Sequence, residues 1–318
     1  MLWRHGLLLR HGASAIAVHR RDTVALVLAA TCWGLGTVIS KAALVEFPPI
    51  SLLAIQLASS LVLLTVLMRA QRIPLRGEGT RLLGRLGILN PGIAYALGLL
   101  GLLTITATVS VLLWALEPVM ILLLAGIVLG ERITPATVGL SVLAVGGILL
   151  VVYDPVSIGA EAGGVALTLA GIACCAAYSV ITRHLIPHAK ETSQVVLAQQ
   201  AFGLAFALVL TLAVALLGGR PVPTSVSPLG AASAVLSGIL YYGGAYWLYL
   251  GALRRVPASI AGASFYLIPI VGVTAGALLL GERLGPTQWL GAAVVLSAVL
   301  GILLRSTPAI ASGVPRPV

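Results

Sequence analysis

The sequence repeats itself at one offset of 151 residues, and this duplication limits the possible folds more than any other feature. The segments that share the offset are Gly-Ile-Leu at 87–89 and 238–240, Gly-x-Ala-Tyr at 92–95 and 243–246, Pro118 and Pro269, and Gly-Glu-Arg at 130–132 and 281–283. A constant spacing without gaps is hard to produce by composition alone. We therefore interpret the chain as two copies of one structural unit.

The composition places both copies in a membrane. Of the 318 residues, 59% are hydrophobic and 9% are charged, whereas soluble domains carry about 25% charged residues. Nearly uncharged apolar runs of about 20 residues have the length of a membrane-spanning helix. They lack the alternating pattern of a spanning β-strand, so helices are the structure that satisfies the backbone. The sequence therefore predicts an all-α integral membrane protein with the lipid bilayer around it.

Ten such runs can be marked, five in each copy. The predicted spans are about 23–43, 49–68, 86–103, 108–129, 136–153, 163–183, 194–217, 229–250, 257–280 and 286–304. The first repeat then covers residues 23–153, and the second covers residues 163–304. Residues 1–22 and 305–318 are expected to be cytoplasmic tails, because the apolar stretch near the N-terminus is too short for a signal-peptide core.

The loop charges predict the orientation of the ten spans. If the N-terminus lies in the cytoplasm, all 19 Lys and Arg residues except Lys41, Arg220 and Arg283 fall on the cytoplasmic side. The positive-inside rule therefore predicts that both termini are inside. Because each half has an odd number of spans, the second half enters the membrane inverted. Inverted repeats are typical of secondary transporters, whose substrate site lies near the midplane between the halves.

The net charge of +10 does not indicate a nucleic-acid partner. The basic residues are spread over short loops and tails, and the sequence has no soluble domain that would present them to phosphates. We expect no nucleic-acid binding.

Glu117 is an ionisable residue deep inside predicted span 4. It precedes Pro118, and its repeat partner is Ile268, so the symmetry of the fold does not require a carboxyl there. A charge at this depth costs at least about 2.5 kcal/mol and should face the interior, be paired or be protonated. Two interpretations stay open: a proton-coupling or substrate-amine site, and a structural carboxyl bonded to backbone that the proline frees.

Lys41 lies at the predicted outer end of span 1. Its side chain either snorkels to the interface, attracts an anionic group of the substrate, or pairs with Glu117.

Aromatic and polar side chains in the apolar spans are the further candidates for substrate contact. They are Trp33, Gln56, Asn90, Tyr95, Trp114, Tyr178, Gln199, Tyr242, Tyr246 and Tyr266. Interfacial belts and helix packing also explain aromatic residues, and helix–helix hydrogen bonds explain the amides. Tyr241 and Tyr249, near the ends of span 8, fit a belt. Tyr95 and Tyr246 are repeat partners near mid-span and fit a cavity better.

The sequence contains no enzyme signature, such as a Walker loop, an HExxH segment or a nucleophile elbow. Cys32, Cys174 and Cys175 lie in apolar runs and are interpreted as small core residues. Glu131 and Glu282 of the repeated Gly-Glu-Arg segments are expected to cap helices and pair locally. We predict no catalytic residue, no metal site and no cofactor.

Motifs in both halves resemble the EamA-type transporters of the drug/metabolite transporter superfamily. The matching elements are Trp33-Gly34 with Lys41, Glu117-Pro118-Val119 before Leu129-Gly130-Glu131, and Pro269 before Leu280-Gly281-Glu282. The resemblance implies ten helices in two inverted halves and a cavity lined mainly by spans 1, 3, 4, 6, 8 and 9. Relatives often carry Arg in span 2 where this chain has Gln56, so anion recognition through that position does not carry over.

The expected function is secondary transport of a small-molecule solute, namely a metabolite, an amino acid or a drug. The resemblance implies export, and a proton gradient or facilitated diffusion would drive it, because the sequence has no ATP-binding module. A lipid or lipid-linked sugar flippase of the same superfamily is the alternative. The expected location is the cell membrane of a bacterium.

Overall fold

The computed structural model describes residues 20–77, 80–129, 134–152, 160–185, 192–253, 255–256 and 264–311. Within these ranges the chain is helical and contains no strand. Residues 1–19 and 312–318 of the predicted tails and the whole Gly-Glu-Arg segment at 130–132 lie outside the described residues.

The described helices account for all ten spans, which confirms the predicted all-α membrane fold. The spans are, in order, Arg20–Ala43, Pro49–Ala70, Thr80–Leu102, Ala107–Leu129, Pro135–Val152, Ala160–Leu185, Thr192–Leu216, Pro228–Leu253, Ser264–Leu280 and Pro286–Ala311. Six helical stretches, in spans 1–4, 6 and 7, are long and apolar enough to cross a membrane by themselves, and spans 5, 9 and 10 contain shorter apolar helices.

Span 3 begins earlier than the sequence indicated. Its first helical residue is Thr80, whereas the predicted span begins at about residue 86. Arg81 and Arg85 lie exposed on this added turn and a half. Arginine favours helix and keeps its charged group in water while its stem covers apolar surface, so the charge did not mark the helix boundary.

Spans 3, 4 and 8 are interrupted, and the interruptions in spans 3 and 8 follow the repeat. Span 3 contains a π-helical segment at Leu89–Ile93, and span 8 contains one at Ile239–Gly244. Span 4 breaks after Trp114 and restarts at Glu117, while the described part of span 9 passes from a 3₁₀ turn at Ser264–Tyr266 into an α-helix. Proline lacks the N–H that would continue the ladder, which explains the break before Pro118.

The packing of the spans is also symmetric between the halves. Span 1 packs against spans 8 and 9, and span 6 packs against the repeat-related spans 3 and 4. Spans 2 and 7, spans 4 and 9, and spans 5 and 10 pack as pairs across the halves. At the last of these seams Gly147 and Gly291 bring the two backbones together, since an added Cβ at Gly291 would lie 2.6 Å from the Gly147 carbonyl oxygen. Small residues permit this close approach.

Buried amides join the helices at several crossings. The Gln56 Nε2 group donates to Ser40 Oγ and Ser237 Oγ, each at 2.8 Å, and so connects spans 1, 2 and 8. Gln200 donates to the Tyr242 carbonyl oxygen at 2.6 Å and accepts from Ser60. These bonds fix the positions of the spans that surround the centre.

Candidate functional site

The interrupted helices surround the middle of the bundle. Glu117 lies midway along span 4, at the first residue after its break. Spans 4 and 9 pack against each other there, with Val111 beside Gly272. Broken helices at this depth are where transporters of inverted-repeat architecture bind their substrates, and exposed backbone at membrane depth is tolerated only within the protein or beside a cavity. The geometry therefore selects this region as the site.

A small cavity lies beside the break. Its volume is about 30 Å³, and its lining is Thr37, Ser40, Tyr95, Gly98, Leu99, Leu102, Ser110, Trp114, Tyr241 and Tyr242. This volume is close to that of one water molecule and far below the roughly 300 Å³ or more of ligand pockets. The described form is therefore collapsed around the site, and an organic solute enters only when the lining moves.

Two groups of aromatic rings enclose the centre. In the first, Tyr95 stacks on Trp114 with ring centroids 5.3 Å apart, and its edges meet Tyr241 and Tyr242 at 5.4 and 5.2 Å. In the second, Trp33 makes edge contacts with Tyr246 at 5.5 Å, Tyr249 at 5.6 Å and Phe265 at 5.3 Å. The groups are formed by rings from both halves of the chain, so a movement between the halves changes them.

A polar group that we name the Cys175 cluster lies between these rings. It consists of Asn90, Tyr95, Glu117, Cys175, Tyr178 and Tyr246. Asn90 Nδ2 donates to Cys175 Sγ at 3.1 Å, and the thiol also makes polar contacts with Glu117 and Tyr95. Tyr246 makes a polar contact with Tyr95 and interacts electrostatically with Cys175 and Tyr178.

Glu117 therefore faces hydroxyl and thiol groups. Its carboxyl interacts electrostatically with Tyr95 and Tyr178 of the cluster and with Tyr241 and Tyr249 beside it. Two basic side chains of the surrounding spans bond to groups outside the cluster: Lys41 donates to backbone carbonyls, and Arg255 pairs with Asp22. The structure thus brings eight of the twelve predicted site residues together, namely Trp33, Asn90, Tyr95, Trp114, Glu117, Tyr178, Tyr242 and Tyr246.

The other four predicted residues are not members of the cluster, although Gln199 bonds directly to one member. Gln56 is fully buried behind Ser40, where it joins helices. Gln199 accepts from the Tyr178 hydroxyl at 2.9 Å and donates to the Leu83 carbonyl at 3.2 Å. Tyr266 packs against an apolar cluster that includes Leu112, Leu113 and Ile148. Lys41 lies at the outer end of span 1.

Two tyrosines and a cysteine differ from our expectation. Tyr241 and Tyr249 do not form an interfacial belt, because their rings contact Tyr95 and Trp33 in the interior. Tyr241 lies halfway along span 8 and lines the small cavity, so its depth does not suit a belt. Cys175 is a free, buried thiol, as expected, but it is also the centre of the polar cluster.

The end of the bundle opposite to the N-terminus, which we call the outer end, is held by two charges. Lys41 Nζ donates to the carbonyl oxygens of Leu102 at 2.7 Å and Leu103 at 3.2 Å, where span 3 ends. Glu282 accepts from the backbone N–H groups of Ala107 and Thr108, both at 2.8 Å, where span 4 begins. We name Lys41, Glu282 and the turn at 103–106 the outer latch.

Each charge of the outer latch meets the complementary helix end, since a helix C-terminus attracts cations and an N-terminus attracts anions. Glu282 comes from the loop between spans 9 and 10 and bonds to the first half. Glu282 thus caps a helix, as we expected, but the helix belongs to the other half, so the expected local pairing was wrong. The orphan N–H groups of the span 4 helix were free to bond with a distant carboxylate, and this pairing is not visible in a local motif.

The opposite end contains a larger opening. A cavity of about 280 Å³ is lined by residues that include Ala25, Gln71, Ser193 and Trp247. Beside it, Arg255 pairs with Asp22 at 2.7 Å. The halves are thus bonded to each other at both ends, by Glu282 at the outer end and by the Asp22–Arg255 ion pair at the opposite end, and the larger of the two cavities lies at the opposite end.

Comparisons with known proteins agree with this architecture. The family model described as "EamA-like transporter family" matches the chain twice, at residues 23–153 and 162–304. The protein PA1977 of Pseudomonas aeruginosa is 31% identical over 290 residues, which cover 89% of this chain and 95% of that protein. An "uncharacterized transporter" of Archaeoglobus fulgidus is 26% identical over 286 residues, covering 87% and 96%.

Two further matches are more limited. The transporter YwfM of Bacillus subtilis is 28% identical over 168 residues, so the match spans about half of each chain. A solved crystal structure aligns with a TM-score of 0.62 at 17% identity and covers 91% of this chain and 98% of its own. This last likeness shows the fold alone.

Proposed function

Because this chain belongs to the EamA-like transporter family, we propose that it is a secondary transporter that moves a small organic solute through the central site by alternating access. The proposed direction is export across the cell membrane. The observation that carries the proposal is the position of Glu117, midway along the broken span 4 and in contact with Cys175 of the other half.

Coupling follows from the neighbours of this carboxyl. Glu117 and Tyr95 belong to the first half, whereas Cys175, Tyr178 and Tyr246 belong to the second. A relative movement of the halves therefore changes the polar surroundings of Glu117. A carboxylate at bilayer depth costs at least about 2.5 kcal/mol unless it is paired or protonated, so we propose that Glu117 binds and releases a proton as the site opens and closes.

The test uses purified protein in proteoliposomes with an imposed pH gradient. Solutes that leave overexpressing cells are first identified by metabolite analysis, and their flux is then measured for the wild type and Glu117→Gln. We expect the variant to lose transport or its response to the gradient. Glu46→Gln, which changes a surface carboxyl in an outer loop, is the control and should retain both. Equal flux with equal pH dependence in Glu117→Gln would refute the role.

The aromatic groups should set the choice of solute. Trp114→Ala and Tyr246→Ala are expected to change the ratio of transported solutes more than the yield of folded protein. If both lose only yield, the rings are packing residues. Transfer of a labelled lipid between leaflets, without solute flux, would instead support the flippase alternative.

A further inference from the structure

The polar groups of the Cys175 cluster point to the charge of the solute. Asn90 is buried, and its Oδ1 atom has no hydrogen-bond partner, although its amide nitrogen donates to Cys175. A buried acceptor without a donor costs about 1–3 kcal/mol. Such an atom in the middle of a transport pathway is explained if a ligand donates to it.

Glu117 adds a second acceptor at the same thiol. Asn90 and Glu117 both contact Cys175, one from span 3 and one from span 4. The donors nearby are partly used, since the Tyr178 hydroxyl donates to Gln199. Lys41, the cation closest in sequence to the cavity lining, bonds to the outer carbonyls. The cluster therefore offers hydrogen-bond acceptors and a carboxyl group, and none of its six residues is basic.

Ring faces complete the surroundings of these acceptors. Tyr95 and Tyr246 belong to the cluster, and Trp114 and Trp33 lie against them at 5.3 and 5.5 Å. Aromatic faces attract cations, and the attraction reaches about 2 kcal/mol when the cation is desolvated. An anion would meet the Glu117 carboxyl as a like charge, and a neutral solute would leave it unpaired.

This inference rests on the proposed function: we propose that the transported solute is an organic cation whose positive group binds at Glu117, and that a protonated amine also donates an N–H to Asn90. The remainder of the solute lies against the rings once the outer or inner end opens.

Four probes of one shape test this inference. They are 2-phenylethylamine, trimethyl(2-phenylethyl)ammonium, 2-phenylethanol and 3-phenylpropionate. Binding to the purified protein is followed by quenching of its tryptophan fluorescence. We expect both cations to bind about 30-fold more tightly than the alcohol, which is the equivalent of about 2 kcal/mol, and the carboxylate to bind most weakly.

Variants separate charge from packing. Glu117→Gln should remove the preference for the two cations without weakening the alcohol. Asn90→Ala should reduce the binding of 2-phenylethylamine about fivefold, the equivalent of one hydrogen bond of about 1 kcal/mol, and should leave the trimethylammonium probe unchanged because that cation has no N–H to donate. Glu46→Gln should leave all four affinities unchanged. If Glu117→Gln does not fold, the comparison of the four probes on the wild type still decides.

The outcomes distinguish the solute class from the transport function. The cation proposal is overturned if the alcohol or the carboxylate binds as tightly as the cations or more tightly. It is also overturned if neither cation binds at a concentration about 10 times the Kd of a typical micromolar site. Saturable flux of a neutral or anionic solute in proteoliposomes would leave transport intact and reject the cation. Cation binding without any flux would reject transport and leave the binding site.

Discussion

Substituting Glu282 by Gln should open the outer end of the protein. The carboxylate accepts two backbone bonds of 2.8 Å from Ala107 and Thr108. Glutamine keeps one acceptor, and its amide NH₂ group would face the other N–H. The loss is one charge-assisted bond of about 1.5–3 kcal/mol and a charge–helix interaction of about 0.3–1 kcal/mol.

A loss of about 3 kcal/mol changes an equilibrium about 100-fold. Because the outer latch joins the two halves, this energy is lost from the outer-closed form and not from a form in which the halves separate there. The equilibrium between the two forms should shift by this factor toward the open form.

Accessibility of Ser110 measures the shift. This residue lines the central cavity and is 2% exposed. A Ser110→Cys reporter, in a background whose three native cysteines are replaced by alanine, is labelled in intact cells with a membrane-impermeant maleimide. Glu282→Gln should raise the labelling rate toward 100-fold, until the open form predominates.

The control is Glu46→Gln. Glu46 is also an outer-loop carboxylate, and it accepts from Ser227 at 2.6 and 2.7 Å, but these bonds are exposed to solvent. Screening by water makes their loss smaller. A rate for Glu282→Gln within threefold of the parent, or the same increase in the control, would refute the reasoning.

The remaining predictions concern stability and are measured as melting temperatures of the purified protein. Gly101→Ala should destabilise the fold by about 1–3 kcal/mol, because a Cβ there would lie 2.6 Å from the Gly164 carbonyl oxygen. Gly163→Ala should be neutral, since a Cβ there would contact nothing within 4 Å. Equal melting temperatures of the two variants would contradict this packing. Gln56→Leu should cost about 0.6–2 kcal/mol without changing the solute, and a change of solute would return Gln56 to the site. Hydrogen bonds from Ser227 lower the pKa of Glu46 below its ordinary 4.5. The stability that the Glu46 carboxylate adds is therefore complete above pH 4.5 and is lost as the pH falls through the lowered pKa. Glu46→Gln should remove this acid-dependent part of the melting temperature.

The sequence was sufficient for the scaffold because each span is a local property. Length and apolar composition mark a spanning helix without reference to any partner, and the offset of 151 residues relates spans 3–5 to spans 8–10. The break before Pro118 could also be expected, since proline interrupts the backbone ladder wherever it occurs.

The site was predicted only in part, because its geometry depends on irregular backbone and on contacts between distant residues. Tyr241 was expected in an interfacial belt, although it lies halfway along span 8 and lines the cavity. Cys175 looked like any small residue in an apolar run, and only the fold shows that Asn90 and Glu117 both reach it. Glu282 bonds to a helix about 175 positions earlier in the chain, in the other half.

The size of the central cavity has a consequence for the cell as well as for the solute. Protons cross proteins along continuous files of hydrogen-bonded water, and a space of about 30 Å³ holds one molecule of such a file. In the described form the rings therefore leave no room at this cavity for a longer file of water. A membrane rich in this protein should keep its proton gradient when no solute is present, and truncating one ring, as in Trp114→Ala, should make it leak.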